Sequence, residues 1–242
     1  MTTATTLGYD DLPRLMTLMT GDEKHGASAT STLDVIWVLY DRVLRPGHDR
    51  FLLSKGHGPM AYYAVLAAKG FLSPADLRDF GGPDSILGHH PDRTLVPGVE
   101  IGAGSLGHGL GLAVGTALGL RLRRSHVRAS VGTSGRSSAT TDPVESAART
   151  VVLLGDAELE EGSNAEAIQY AGRAGLGGLT AVVIDNSSAS LGWPGGIARR
   201  FTVEGWSASD VDGRDHDALE RAFAGSGDSP HVVVAHVERK DS

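Results

Sequence analysis

Apolar residues recur at helical spacing in TLDVIWVLYDRVL, residues 32–44, and Pro46-Gly47 stops the pattern. The run FLLS follows, reads as a short strand, and leads into KGHG. A second helical pattern spans 59–69 and ends at Gly70. Ser73-Pro74-Ala75-Asp76 combines an N-cap, a first-turn proline and a first-turn acid, which predicts the start of another helix. Residues 81–100, rich in Gly, Pro and His, predict a loop, and a helix of small residues follows over about 106–123.

The pattern changes at 124–149, RSHVRASVGTSGRSSATTDPVESAAR, where Ser, Thr, Gly and Ala dominate and large apolar residues nearly vanish. This predicts a mobile surface insertion. Order returns at Thr150. A strand over 151–154, a helix over 163–174 and a strand over 180–184 make a βαβ unit, which demands a parallel sheet. Near the end, WSASDVDG, DHDALERAF and HVVVAHV supply another β-α-β, and there are no internal repeats. The expected architecture is one α/β domain over 1–242: a doubly wound, mostly parallel sheet with helices on both faces.

Bulk properties narrow the function. The chain has 242 residues, 40% apolar and 21% charged, enough for a full globular core. A formal charge of −7 argues against a general nucleic-acid binder. No stretch approaches the ~18 apolar residues of a membrane span. The N-terminal MTTATTLGYDDLPRL has acids where a secretory signal has basic and then apolar blocks. Zero cysteines exclude a disulfide framework and a thiolate metal site. A cytoplasmic protein with neither nucleic-acid nor membrane partners is expected. Glycine, at 33 residues, is clustered in GGP, GAGSLGHGLGLAVG, GRAGLGGL and GWPGG. Glycines between apolar runs allow tight turns and close backbone approach, which suits a phosphate- or cofactor-handling protein.

The chemistry concentrates around Asp156. In VVLLGDAELEEGSNAEA a buried-looking strand empties into Gly155-Asp156, and the next strand, TAVVID, ends at Asp185-Asn186. Ligands of an open parallel sheet bind beyond the carboxyl ends of its strands. Two neighbouring strands would deliver a carboxylate and an amide oxygen there, and a carbonyl from the Ser187-Ser188 turn would complete a set suited to a hard divalent ion such as Mg²⁺. Asp156 as a helix cap and Asn186 as a turn residue is the other reading of the same residues.

GDAELEEG followed downstream by DNSS resembles the thiamine-diphosphate motif of the transketolase family. LSKGHGPMAYYAVLAAKG resembles that family's LSKGH segment, GHHPDRTLVPGVEIGAGSLGHGLGLAVG its GHP and TGSLGQGL segments, and FTVEGWSASDVDGRDHDAL its GW…VDGHD segment. The blocks occur in family order and cover most of 25–236. The resemblance implies thiamine diphosphate as cofactor, with Asp156, Asn186 and the carbonyl of Ser188 on Mg²⁺ or on Ca²⁺ or Mn²⁺ in its place. It places Gly104 and Leu106 along the diphosphate and thiazolium, and Gly155 and Ala157 beside the phosphate; alanine for the family's glycine keeps the N–H. It assigns His57 to the diphosphate, and His25 and His90 to the substrate, where they bind hydroxyls and shuttle protons. His108 replaces a family glutamine and is expected to be structural. Glu161 and Glu166 match acidic interface positions that link paired cofactor sites, whereas Glu158 and Glu160 are expected to face solvent or cap the helix. Ser190 occupies the place of a bulky apolar residue near the thiazolium.

Nothing in the chain resembles the family's pyrimidine-binding domain with its activating glutamate, and AHVERKDS lacks the family's loop with a substrate-contacting histidine. The expectation is one subunit of a split enzyme, completed by a second chain in an α₂β₂ heterotetramer. It would transfer a two-carbon ketol unit from a ketose-type donor to an aldehyde acceptor, with a specialised biosynthetic role open. A subunit of a split thiamine-dependent 2-oxo acid decarboxylase or dehydrogenase, and a non-catalytic regulatory subunit of the same fold, are the alternatives.

Overall fold

The computed structural model describes residues 7–21, 26–133, 148–225 and 227–239, with 127–133 by backbone alone. Five strands, β1 (Arg50–Leu53), β2 (Thr150–Gly155), β3 (Leu179–Asp185), β4 (Ser207–Asp212) and β5 (His231–His236), form one parallel sheet in the order β1-β2-β3-β5-β4. The helices are α1 (Leu12–Met16), α2 (Gly26–Val38), α3 (Met60–Ala68), α4 (Pro74–Arg78), α5 (His108–Thr133), α6 (Gly162–Arg173), α7 (Ile197–Thr202) and α8 (His216–Phe223).

The central strands are apolar throughout because helices cover both faces of the sheet. Alternation still sorts their side chains into two cores. Phe51, Leu53, Val151, Leu153, Val182, Ile184, Val233 and Ala235 pack with residues of α1, α2, α3 and α8. Leu52, Val152, Leu154, Ala181, Val183, Val232 and Val234 pack with residues of α5, α6 and α7. This is the doubly wound architecture expected. β4, SASDVD, alternates between half-buried and exposed positions, as befits a sheet edge.

Local signals translate into structure where the chemistry is short-range. At Ser73 the hydroxyl accepts from the Asp76 N–H at 3.3 Å, and the Asp76 carboxylate takes the Ser73 N–H at 2.7 Å. α1 and α7 are too short for periodicity to register. α2 begins at Gly26, ahead of the expected start, and continues as a π-helical turn over Leu39–Val43.

One boundary needs correction. The helix expected to stop near Arg123 continues to Thr133, so the first part of the 124–149 segment is helical. Residues 120–131 contain neither Gly nor Pro, and arginine, leucine and alanine extend a helix even where 121–126 are exposed on every side. The remainder, 134–147, lies outside the described residues. Among the described residues no helix is long and apolar enough to cross a membrane.

Candidate functional site

Three chain segments converge at the carboxyl end of β1. His90 Nδ1 lies 3.1 Å from the carbonyl of Gly56, and the rings of His57 and His90 meet edge to face. A Cβ at Gly56 would come within 2.8 Å of the Ala103 Cβ and 2.9 Å of the Gly104 nitrogen. Gly104, at φ +120°, packs its backbone on the His90 ring. KGHG, HHPD and GAGSLG therefore meet only because glycine stands at the crossing points. His89 turns the other way, with its ring against Phe80 at 5.3 Å. His108 bridges the carbonyls of Ser105 and Gly102, closing the GAGSLG loop. Gly104 and Leu106 are exposed on that loop.

Lys55 is a residue that sequence reasoning passed over. It is buried, and its Nζ donates to the Ser28 carbonyl at 3.0 Å and the Ser28 hydroxyl at 2.7 Å, tying the KGHG loop to the first turn of α2. His25 lies outside the described residues, immediately before that turn.

At the ends of β2 and β3 a second constellation forms. Asp156 is 1% exposed, and its carboxylate accepts from the Ser188 N–H at 2.7 Å, the Ala189 N–H at 3.1 Å and the Ser188 hydroxyl. Three donors fill three of a carboxylate's roughly four lone-pair sites. The turn that aims Ser188 at Asp156 passes through Ser187, whose φ of +56° is the only left-handed value on a non-glycine among the described residues. The Asp185 carboxylate supports it by accepting the Ser187 N–H at 3.2 Å, and is itself bound by His236 at 3.1 Å. Beside this turn Asn186 is 4% exposed, and its Oδ1 has no hydrogen-bond partner.

The glutamates divide differently from expectation. Glu158 neither faces solvent nor caps a helix: it is 1% exposed, and its carboxylate accepts from the Ser54 hydroxyl, the Gly107 N–H at 2.9 Å and the Gly155 N–H at 3.4 Å. Burial pushes its pKa above the ordinary carboxylate value, against the opposing pull of those hydrogen bonds. The chain after β2 folds back as a 3₁₀ turn over Ala157–Glu160, which carries the side chain under the strand ends. Glu160 lies at the surface but reaches the loop after β3, accepting from the Ser190 hydroxyl at 2.8 Å and the Leu191 N–H at 2.6 Å. Ser190 is thereby held at the surface, and the apolar residue presented beside it is Leu191, 82% exposed. Glu161 and Glu166 are exposed, with Gly107 packed against the Cβ of Glu161.

A sequence model of the family described as "Transketolase, thiamine diphosphate binding domain" matches residues 22–233. The chain belongs to the transketolase family. A transketolase from Leishmania mexicana superposes with a TM-score of 0.72 at 25% identity, over 95% of this chain and 37% of that one. The chain thus spans well under half the length of that full transketolase. A protein of Actinobacillus succinogenes, named as one of the subunits of an apulose-4-phosphate transketolase, is 31% identical, over 89% of this chain and 76% of that relative. A protein of Rhodococcoides fascians named ferredoxin fas2 is 49% identical, over 98% of this chain and 75% of that one.

The family makes thiamine diphosphate the cofactor of this transketolase domain, and the residues present fit it. Asn186 Oδ1 is a buried oxygen awaiting a donor or a cation, and such groups are seldom left unpaired. Asp156, bound by the turn that follows Asn186, retains acceptor capacity. Among the described residues no group of three His, Cys, Asp or Glu could hold a metal, so a cation here depends on mixed oxygen ligands and on the cofactor's own phosphates.

Proposed function

We propose that this chain binds thiamine diphosphate through a divalent cation, Mg²⁺ with Ca²⁺ or Mn²⁺ as substitutes, and is the diphosphate-binding subunit of a two-chain ketol transferase. Asp156, Asn186 and the Ser188 carbonyl hold the cation. His57, Gly104, Leu106, Gly155 and Ala157 border the cofactor, with Ser190 and Glu161 at its margins. The orphaned, buried Asn186 Oδ1, next in the chain to the turn that binds the Asp156 carboxylate, carries this reading.

Thiamine diphosphate, when bound, would supply a nucleophilic thiazolium carbon for chemistry at a substrate carbonyl. The chain's own residues then orient the substrate and move protons. His90 Nδ1–H donates a hydrogen bond to the Gly56 carbonyl, which leaves Nε2 as the ring nitrogen that can accept a ketose hydroxyl proton. His57, edge-on to that ring, borders the same mouth, and the family resemblance adds His25, which lies outside the described residues. A ketose-type donor and an aldehyde acceptor are the substrate class.

The second chain supplies the pyrimidine-binding domain and the activating glutamate, in an α₂β₂ assembly. A relative matched over 76% of its own length carries the name of one subunit of a transketolase, which supports this. So does the exposure of Leu106, Leu112 and Tyr170 on the same elements as Glu161 and Glu166 or next to them. An iron–sulfur cluster, held by cysteine thiolates, finds no such ligand in this chain, whose 242 residues include no cysteine.

The test is isothermal titration of thiamine diphosphate with Mg²⁺ into the chain, alone and with a candidate pyrimidine-domain subunit. Binding that tightens with the second chain and disappears in Asp156→Ala is expected. No binding in either condition rejects the reading.

A further inference from the structure

We propose that Glu158 is a positioning residue that sets the spacing between the GAGSLG loop and the Asp156 turn. This rests on the thiamine diphosphate reading above, since those are the two segments that border the cofactor.

The geometry is that of a lock. The Glu158 carboxylate joins the end of β1 through Ser54, the end of β2 through the Gly155 N–H, and the last residue before α5 through the Gly107 N–H. Ser54 extends the connection, because its hydroxyl also accepts the Gly109 N–H at 3.2 Å. A Cβ at Gly109 would collide with Ser54, and one at Gly107 would stand 2.6 Å from the Glu161 Cβ and the Ser163 hydroxyl. Two glycines thus bring the start of α5 down onto the carboxylate. The backbone of Glu158 is held as well, its carbonyl accepting from Asn164 Nδ2 at 2.6 Å.

Only an acceptor-only group satisfies three converging donors. Glutamine retains an oxygen for Gly107 and Ser54 but turns its amide NH₂ toward the Gly155 N–H. An apolar residue leaves all three donors buried and unpaired. A buried carboxylate is a poor device for stability alone, because its desolvation offsets much of what its hydrogen bonds contribute. What it does supply is one fixed arrangement of three segments that approach from distant parts of the chain.

The test compares wild type, Glu158→Gln, Glu158→Ala and Ser54→Ala with the core control Ile168→Val. All are made in the full chain with the pyrimidine-domain subunit, and folding is checked by thermal melts. Thiamine diphosphate affinity at fixed Mg²⁺ is measured by titration. Half-saturation and kcat are then measured in ketol transfer. The expected result is at least tenfold weaker cofactor binding in Glu158→Ala, a smaller loss in Glu158→Gln and Ser54→Ala, and none in Ile168→Val. At saturating cofactor kcat should stay within twofold. Should Glu158→Ala fail to fold, Glu158→Gln and Ser54→Ala decide the matter alone. If wild type binds the cofactor and the variants bind it equally well, the positioning role is overturned and the cofactor reading stands. A wild type that binds no thiamine diphosphate overturns both.

Discussion

The imidazoles of His57 and His90 lie edge to face, with centroids 5.5 Å apart and planes at 89°. His89, the adjacent residue, makes the same kind of contact with Phe80 instead. The two neighbouring histidines therefore predict different phenotypes. His90→Ala should lower kcat/KM for a ketose donor by about 100-fold or more, the usual scale for a positioned proton-transfer group. His89→Ala should leave kcat/KM within about threefold and cost about 1 kcal/mol of stability, the scale of an aromatic edge contact. Steady-state kinetics and urea unfolding of both variants check this; equal kinetic losses would contradict the assignment of His90.

Asn186 predicts a separation of stability from function. Its Oδ1 is buried without a partner, a condition that costs about 1–3 kcal/mol. Asn186→Leu should leave the melting temperature of the cofactor-free chain unchanged or higher, while abolishing Mg²⁺-dependent binding of thiamine diphosphate. A variant that melts lower and still binds would show that the oxygen serves the fold rather than a cation.

Asp49 predicts the acid limb of stability. Burial alone would raise its pKa. The Arg45 guanidinium and the N–H groups of Arg149 and Arg45 outweigh burial and hold the carboxyl well below its usual range. The unfolded chain therefore binds this proton first as pH falls. The stabilisation is complete above the ordinary carboxylate value, near pH ~4, and is lost progressively below it. Asp49→Asn should cost about 2–3 kcal/mol at pH 7, less than a fully buried pair because Arg45 is 38% exposed. Urea unfolding at pH 7 and pH 3 should show the gap to wild type narrowing in acid.

Gly107 predicts a link between backbone strain and assembly. At φ +84°, with its missing Cβ pointing at Glu161 and Ser163, it has no room for a side chain. Gly107→Ala should cost about 1–3 kcal/mol and push Glu161 from its place at the start of α6. Thermal melts should fall, and sedimentation with the second subunit should show weaker association. An alanine variant that melts and assembles like wild type would contradict the close approach.

The strand ends, the capped start at Ser73 and the carboxylate at Asp156 were all readable from the chain, because each depends on residues within a few positions. Hydrophobic runs bounded by Gly-Asp or Asp-Asn mark buried strands that stop at a polar edge, and a Ser-x-x-Asp box closes on itself whatever surrounds it. The extension of α5 to Thr133 was not readable, since a helix without an apolar face leaves no period to detect. Glu158 and Glu160 look alike in ELEE, yet one is buried beneath the ends of β1 and β2 and the other reaches a surface loop.

By itself the sequence determined the α/β class, the parallel sheet, the family and the place of Asp156 and Asn186 at its carboxyl edge. The tertiary structure decided that His90 packs on His57 while His89 turns to Phe80, which glutamate is locked inside, and that Asn186 keeps a buried oxygen without a partner. Local periodicity and turn chemistry act over a few residues and leave their mark in order. Ser54 and Glu158 are 104 residues apart, and Gly107 and Glu158 are 51 apart. Their mutual burial has an energy only once the sheet has brought them together.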